Sequence, residues 1–194
     1  MDLKLKNKNA LVCASSEGLG KAAAIELAKE GANLMICSRN EKKLTETFDA
    51  IKEISDSKVS MMMADLSDSE DLDKLHKTSV LELGPIDILV NNAGGPPPST
   101  FGNTTDDQWE SAFNLTMMSS VRLSRLVLPQ MKENNWGRII NISSVSVKTP
   151  VNGLFLSNSI RMGVLGWSKA LSDEVAASGI TVNSVCPGST RTKR

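Results

Sequence analysis

Residues 10–29 read ALVCASSEGLGKAAAIELAK, an apolar run followed by a glycine-containing turn and an alanine-rich segment. The apolar run 10–14 has the length of a buried strand, and the segment 18–30 has helical periodicity. Gly18 and Gly20 permit a tight turn in which the backbone closely approaches a bound group. Because a helix begins with unpaired N–H groups and the positive end of its dipole, this stretch predicts a phosphate-binding turn. The alternative is a plain connecting turn.

The same strand–turn–helix order continues to the end of the chain. Short apolar segments alternate with segments of helical periodicity, which predicts parallel strands buried on both faces and joined by right-handed crossovers. We therefore expect a single α/β domain over residues 1–194, a doubly wound parallel sheet (Rossmann fold) in three α/β/α layers. The predicted strands are 10–14, 33–38, 59–64, 86–91, 138–143 and 180–186, and the predicted helices are 18–30, 41–55, 68–83, 106–134 and 153–178.

Composition limits the partners. Lys and Arg total 22, as do Asp and Glu, so the net charge is near zero, which argues against nucleic acid or a membrane surface as a partner. No apolar run reaches the length of about 20 residues that a bilayer span needs, and the N-terminus lacks a cleavage site, so we expect a cytoplasmic protein. The three cysteines are widely spaced and fit neither a disulfide framework nor a metal motif; no metal is expected.

Five motifs, in order, resemble those of the short-chain dehydrogenase/reductase (SDR) family. CASSEGLG at 13–20 is similar to the family's TGxxxGxG loop, with Cys13 and Ala14 in place of Thr-Gly, and NNAG at 91–94 is unchanged. The other three are Asp65-Leu66, GRIINISS at 137–144 and Pro187-Gly188. The likeness covers the whole chain and extends to 3-oxoacyl-acyl-carrier-protein reductases. The cofactor-binding residues that it implies are Ala14, Ser16, Gly18, Leu19, Gly20, Ser38, Arg39, Asp65, Leu66, Asn92, Ala93, Gly94, Pro187, Gly188 and Thr192.

The residues after the second predicted strand indicate which nicotinamide cofactor binds. Residues 37–40 read Cys-Ser-Arg-Asn, with no acid to bind the adenosine 2′-hydroxyl of NAD(H). Ser38 and Arg39 offer a hydroxyl and a guanidinium, which suit a 2′-phosphate. We predict NADP(H) as the preferred cofactor, with NAD(H) possible; the alternative for Arg39 is an exposed arginine that begins a helix.

The catalytic positions depart from the family pattern, which is Ser, Tyr thirteen residues later, and Lys four beyond that. The resemblance places these roles at Ser144, Ser157 and Arg161, and the chain contains no Tyr in any register. RMGVLGW at 161–167 is similar to the family's residues after the Lys, which supports the register. The position of the family's helix Asn, seven residues after Trp109, holds Thr116.

Such a site differs chemically from the usual one. A serine hydroxyl is a much weaker acid than tyrosine, and Arg161 stays charged and cannot pass on a proton. Arg161 can hold ribose hydroxyls, stabilise an oxyanion or bind a carboxylate bidentately. Lys148 is a possible acid or a solvated loop lysine, and His76 is expected behind the sheet, away from the catalytic positions.

Two functions stay open: an NAD(P)(H)-dependent oxidoreductase for a small carbonyl or alcohol substrate with a variant Ser/Ser/Arg site, or a catalytically silent nucleotide-binding sensor or scaffold.

The sequence ends earlier than the sequences of most family members. Family members usually continue past the Pro-Gly turn with a substrate loop, a helix and a seventh strand, whereas this sequence ends at Arg194, so we expect the C-terminal substrate segment to be truncated or absent here.

Helices 106–134 and 153–178 carry apolar residues on more than one face. The resemblance implies that they pair across a two-fold axis, so we expect a homodimer or homotetramer; a missing C-terminal segment is the alternative cover. The apolar residues concerned are Leu123, Leu126, Val127, Met131, Leu165, Trp167 and Leu171.

Overall fold

Six parallel strands form one sheet in a computed structural model that describes residues 2–192. The spatial order of the strands is β3-β2-β1-β4-β5-β6. The order reverses between β1 and β4, which opens a crevice at the carboxyl ends of the strands. The predicted doubly wound α/β fold is therefore confirmed. The strands are β1 (Asn9–Val12), β2 (Asn33–Ser38), β3 (Val59–Met63), β4 (Ile88–Asn91), β5 (Gly137–Ile142) and β6 (Ile180–Val185).

Helices cover both faces of the sheet because successive strand residues point to opposite sides. Leu11, Met35 and Leu89 face a core completed by the third and fifth helices. Ala10, Val12, Leu34 and Ile36 face the core of the first two helices. Within residues 2–192, no helix combines the length and hydropathy needed to cross a membrane. The helices are α1 (Gly18–Lys29), α2 (Glu41–Lys52), α3 (Ser69–Leu83), α4 (Asp106–Ala112), α5 (Ser119–Glu133) and α6 (Phe155–Val175).

Two predicted elements differ from the structure in a way that matters for the site. The first strand ends at Val12, not at residue 14, because Ala14 has a φ of 46°, which is incompatible with extended backbone. The predicted helix 106–134 is interrupted by a π-helical turn, Phe113–Met118, between α4 and α5. The hydroxyls of Ser119 and Ser120 donate to the carbonyls of Leu115 and Thr116 (2.6 and 3.3 Å), which gives these carbonyls of the widened turn an additional donor.

The remaining boundaries shift by a few residues. The predicted helix 153–178 begins at Phe155, and its last turn is a 3-10 turn, Ala176–Ser178, that ends at Gly179 with a φ of 67°. Gly31 has a φ of 80° directly after α1, as a glycine that terminates a helix should. The predicted helices 18–30, 41–55 and 68–83 are α1, α2 and α3, each one to three residues shorter.

Buried amides join the central strands to the helices beside the crevice. Asn91 of β4 is paired in register with Asn141 of β5, and its Nδ2 donates to the Asn141 Oδ1 at 2.8 Å. Asn141 Nδ2 in turn donates to Ser168 Oγ of α6 at 2.8 Å, and Asn91 Nδ2 lies 3.3 Å from Ser124 Oγ of α5. Because buried polar groups need partners, this network fixes α5 and α6 against the strand ends.

The helix faces expected to meet another subunit are only partly available. Leu123, Val127 and Met131 are buried in the core of the single chain because they face the sheet, so the expectation that they form a subunit surface is wrong. Leu126, Leu165, Trp167 and Leu171 are half-buried. Two other side chains on these helices are exposed apolar groups: Phe113 at 40% and Met162 at 50%.

Candidate functional site

A cleft of about 1310 Å³ lies at the carboxyl ends of the strands. Its volume exceeds that of most small-molecule sites, as a dinucleotide and a substrate together require. Gly20, Asp65 and Thr116 are outside its lining. The sequence-predicted residues that line it are Ala14, Ser16, Gly18, Leu19, Ser38, Arg39, Leu66, Asn92, Ala93, Gly94, Ser144, Ser157, Arg161, Pro187, Gly188 and Thr192.

The predicted phosphate-binding turn is built on close packing between α1 and the ends of β1 and β4. Gly18, at a φ of 59°, begins α1, which has no side-chain cap and no acid in its first turn. A Cβ on Gly20 would collide with the Ala14 carbonyl oxygen and lie 2.7 Å from Asn92 Nδ2. That amide donates to the carbonyls of Cys13 and Ala14 at 3.3 and 3.2 Å. Gly20 therefore acts by letting the N-terminus of α1 reach this position, where uncapped N–H groups suit an anion.

Ala14 occupies a backbone conformation that favours glycine. Its φ of 46° is left-handed, and the family loop has Gly at this position. We expect Ala14→Gly to raise the free energy of unfolding by about 0.5–1 kcal/mol, because the glycine removes the strain. Urea unfolding measures the change. Ala22→Gly, at an exposed position inside α1, should instead lower stability by about 1 kcal/mol. A loss of stability in Ala14→Gly would contradict this account.

The far end of the cleft, beyond β2, holds the residues predicted to select the cofactor. The Arg39 side chain is 70% exposed, and its Nη1 lies 3.8 Å from Asp65 Oδ2. Asp65 Oδ1 accepts from the Ser67 hydroxyl and backbone N–H at 2.7 and 2.9 Å. These hydrogen bonds and nearby Arg39 lower the pKa of Asp65, although burial opposes them. Ser38 Oγ accepts from the Asn40 N–H at 3.1 Å, so this corner is ordered by its own contacts.

The three altered catalytic positions come together at the opposite end. Ser157 and Arg161 lie one turn apart on α6, and Arg161 Nε donates to Ser157 Oγ at 3.2 Å. Arg161 Nη1 donates to the Ile142 carbonyl at 3.2 Å, and the residue is only 6% exposed. Ser144 Oγ accepts from the Ser146 N–H at 3.1 Å, which caps the one-turn 3-10 helix Val145–Val147. The buried guanidinium of Arg161 thus lies beside the Ser157 hydroxyl, and Ser144 lines the same cleft.

The other candidate side chains lie away from this group. Thr116 is buried on the π-helical turn, and its hydroxyl has no hydrogen-bond partner among residues 2–192. Lys148 is exposed at the end of its 3-10 turn and does not line the cleft, so the geometry gives no support to an acid role. His76 lies on α3, and burial lowers its pKa while Asp73 opposes the shift. The part of the chain that the structure describes holds no cluster of three metal-ligating side chains.

Several lining residues are additions to the predicted set. Ser143 precedes Ser144, and its buried hydroxyl has no partner within the described chain. Five further apolar residues line the cleft as well: Ala64, Pro96, Pro98, Leu115 and Leu154. The sequence contains a signal for the two prolines alone, since the irregular run 95–99 follows a predicted strand and belongs at the carboxyl edge of the sheet.

Comparison with known proteins identifies the family. The family model for short chain dehydrogenases matches residues 8–194. The chain belongs to the short chain dehydrogenase family. This SDR chain is 36% identical over 193 residues to the uncharacterized oxidoreductase YvrD of Bacillus subtilis, a match that covers 100% of the chain and 72% of YvrD. It is 36% identical over 184 residues to the 3-oxoacyl-[acyl-carrier-protein] reductase FabG of Haemophilus influenzae, covering 95% and 74%.

A solved structure extends the comparison to three dimensions. L-sorbose reductase from Gluconobacter frateurii, crystallised with NADPH and L-sorbose, matches with a TM-score of 0.96 at 32% identity. The match covers 100% of this SDR chain and 73% of the reductase. The family model and the match to FabG confirm the resemblance to 3-oxoacyl-acyl-carrier-protein reductases, and the chain is an NAD(P)-dependent SDR enzyme.

Proposed function

We propose that this chain is an NADP(H)-dependent oxidoreductase that interconverts a carbonyl and an alcohol at Ser144, Ser157 and Arg161. The supporting observation is that the Ser157–Arg161 pair opens on the same cleft as the phosphate-binding turn. Initial rates of NADPH oxidation with simple ketones, quinones, acyl thioesters and oxo acids test the proposal. Tight NADPH binding without turnover of any of them would favour a catalytically silent sensor or scaffold instead.

The residues of the cleft fit a nicotinamide dinucleotide. The uncapped N–H groups at Gly18 and Leu19 suit the pyrophosphate, and the glycine at position 20 lets them come close. Asn92 to Gly94 and Pro187-Gly188 would hold the nicotinamide half. Thr192 lies close to the phosphate turn, because a Cβ added to Gly18 would be 3.5 Å from the Thr192 Cγ2. When bound, the nicotinamide supplies or accepts a hydride.

The Ser157–Arg161 pair suits electrostatic rather than acid–base catalysis. Ser157 Oγ accepts a charge-assisted bond from Arg161, so its own O–H can donate to a substrate oxygen. Such a donor, backed by a buried fixed charge, stabilises negative charge that develops on a carbonyl oxygen. Neither side chain gives up a proton near neutral pH, so the proton that completes reduction comes from water.

Cofactor preference rests on Arg39. We expect NADPH to bind about 10- to 100-fold more tightly than NADH at the same ionic strength, because the exposed guanidinium of Arg39 is free enough to bond a 2′-phosphate. Arg39→Ala should bring the two dissociation constants to within about threefold. Calorimetric titration of both cofactors measures this, with Lys42→Ala on exposed α2 as the charge-matched control. Tighter binding of NADH by the wild type would refute the assignment.

Assembly and location form the remaining part of the proposal. The exposed apolar side chains of Phe113 and Met162 lie on the π-helical turn and on α6, and their burial favours a homodimer or homotetramer. Cys13, Cys37 and Cys186 are free thiols, which is consistent with a cytoplasmic protein. A small-molecule substrate is the expected partner.

A further inference from the structure

Glu17 is the one carboxylate that lines the cleft within residues 2–192. It directly precedes Gly18 at the N-cap position of α1, yet its side chain makes no capping hydrogen bond. A dinucleotide bound at this turn would bring phosphate groups close to the carboxylate, and like charges repel. A 2′-phosphate adds a charge of about −1.5 to −2 near neutral pH. Glu17 therefore opposes the phosphorylated cofactor unless another group cancels its charge.

Lys43 supplies the opposite charge. Its Nζ donates to Glu17 Oε2 at 2.8 Å, so the two side chains form a hydrogen-bonded ion pair. Lys43 lies in the first turn of α2, where its backbone N–H donates to Asn40 Oδ1 at 3.0 Å. Asn40 and its neighbour Arg39 line the cleft. The Glu17 carboxylate thus extends from the phosphate turn toward the start of α2, the corner at which a 2′-phosphate is expected.

The backbone just before Glu17 is tied to the same strand and helix. The Ser15 N–H donates to the Cys37 carbonyl of β2 at 2.9 Å. The hydroxyl of Thr47, a buried residue of α2, donates to the Ser16 carbonyl at 3.1 Å. Because these bonds fix the turn against β2 and α2, they hold the Glu17 carboxylate within reach of the adenosine corner and of its partner lysine.

We propose that Glu17 and Lys43 together form a second determinant of cofactor choice, besides Arg39. Glu17 disfavours a 2′-phosphate, and Lys43 removes that effect by neutralising the carboxylate, so that the attraction of Arg39 decides the preference. NADH carries an uncharged hydroxyl at this position, and its pyrophosphate is common to both cofactors. The ratio of the NADH to the NADPH dissociation constant therefore isolates the effect of the pair on the 2′ position.

The inference rests on the proposed function, because it requires a nicotinamide dinucleotide in this cleft, and it adds two residues to the choice of cofactor. Both side chains of the pair are about half exposed, at 50% for Glu17 and 45% for Lys43. An ion pair so exposed to water contributes little to the free energy of folding. Substitutions at either position should therefore leave the protein folded, and changes in cofactor binding report on local charge.

A charge cycle measured by calorimetric titration of both cofactors tests the inference. Lys43→Ala should lower the ratio of the NADH to the NADPH dissociation constant by about 3- to 10-fold, because Glu17 is then uncancelled. Glu17→Gln should raise the ratio by about the same factor. The double variant Glu17→Gln/Lys43→Ala has the net charge of the wild type, and its ratio should return to within about twofold. Lys42→Ala, the exposed neighbour on α2, should keep the wild-type ratio.

The outcomes distinguish this inference from a structural role of the pair. Equal weakening of both cofactors in Lys43→Ala, or a double variant that keeps the lowered ratio, would overturn it. The changes in the ratio should also shrink at about 0.5 M salt, as interactions between exposed charges do.

The same titrations separate the inference from the proposed function, because binding needs no turnover. The expected ratios in a protein that reduces no carbonyl compound would overturn hydride transfer and support the role of the pair. Tighter binding of NADH by the wild type would refute the Arg39 assignment, whereas a ratio that still rises in Glu17→Gln would support the inference. An unchanged ratio in Glu17→Gln would overturn the inference whichever cofactor the wild type prefers. Absence of binding of either cofactor would overturn both proposals.

Discussion

Gly20→Ala is expected to weaken NADPH binding by about 100-fold or more, a loss of roughly 2.7 kcal/mol. The added Cβ would meet the Ala14 carbonyl and come within 2.7 Å of Asn92 Nδ2. Neither neighbour can yield easily, because the Asn92 amide holds the carbonyls of Cys13 and Ala14 at the end of β1. The N-terminus of α1 must therefore move away from the strand ends, and the N–H groups that would bind the pyrophosphate move with it. Isothermal titration with NADPH measures the loss.

Gly102→Ala is the matched control for this substitution. Gly102 lies in the 3-10 turn Phe101–Asn103, and a Cβ there would have no heavy atom within 4 Å. Its NADPH affinity should stay within about twofold of the wild type, and circular dichroism should show both variants folded. If Gly20→Ala bound NADPH as tightly as the wild type, the packing of α1 against β1 and β4 would not be what forms the phosphate site.

Arg161→Ala is expected to lower kcat/KM for the best carbonyl substrate by about 10²- to 10³-fold, the usual cost of losing one oxyanion-stabilising group. The substitution removes the buried charge and the donor to Ser157 Oγ, so the serine loses its support as the carbonyl oxygen becomes negative. Arg161→Lys keeps the positive charge but loses the planar guanidinium, so its kcat/KM should lie between those of the wild type and of Arg161→Ala. Initial rates at saturating NADPH measure both changes.

Two outcomes separate this role from a merely structural one. Arg125→Ala, which removes an exposed arginine from α5, should leave the rate within about twofold of the wild type. The NADPH affinity of Arg161→Ala should fall much less than its rate, because the phosphate turn lies at the other end of the cleft. Wild-type turnover in Arg161→Ala would remove Arg161 from the mechanism.

The fold was predictable from the sequence because its signals are local. Apolar runs of strand length alternate with helical periodicity, and both report burial on the two faces of a parallel sheet. The errors occur where backbone geometry departs from a regular period. Ala14 leaves the strand through a left-handed φ, and the π-helical turn Phe113–Met118 inserts into a segment whose apolar pattern reads as one helix.

The site was predictable only in part because motifs mark individual positions rather than contacts. Ser157 and Arg161 are one helical turn apart, so their proximity follows from spacing alone. The position of Pro96 and Pro98 beside Leu154 in the cleft depends on the β-bridge between Ser99 and Leu154, which are 55 residues apart in the chain. Spacing also gives no sign that Thr116 lies outside the cleft lining, since the widened turn sets its direction.

Deuterium transfer tests the central claim most directly. The wild-type protein is incubated with NADPH that carries deuterium at both positions of the nicotinamide C4 and with the carbonyl compound of the substrate panel that it reduces fastest, and the product is analysed by mass spectrometry. The account predicts an alcohol with one deuterium on the former carbonyl carbon, formed in equal amount to the NADPH consumed, and far less product from Arg161→Ala. Tight NADPH binding with no deuterated alcohol from any carbonyl compound would contradict it.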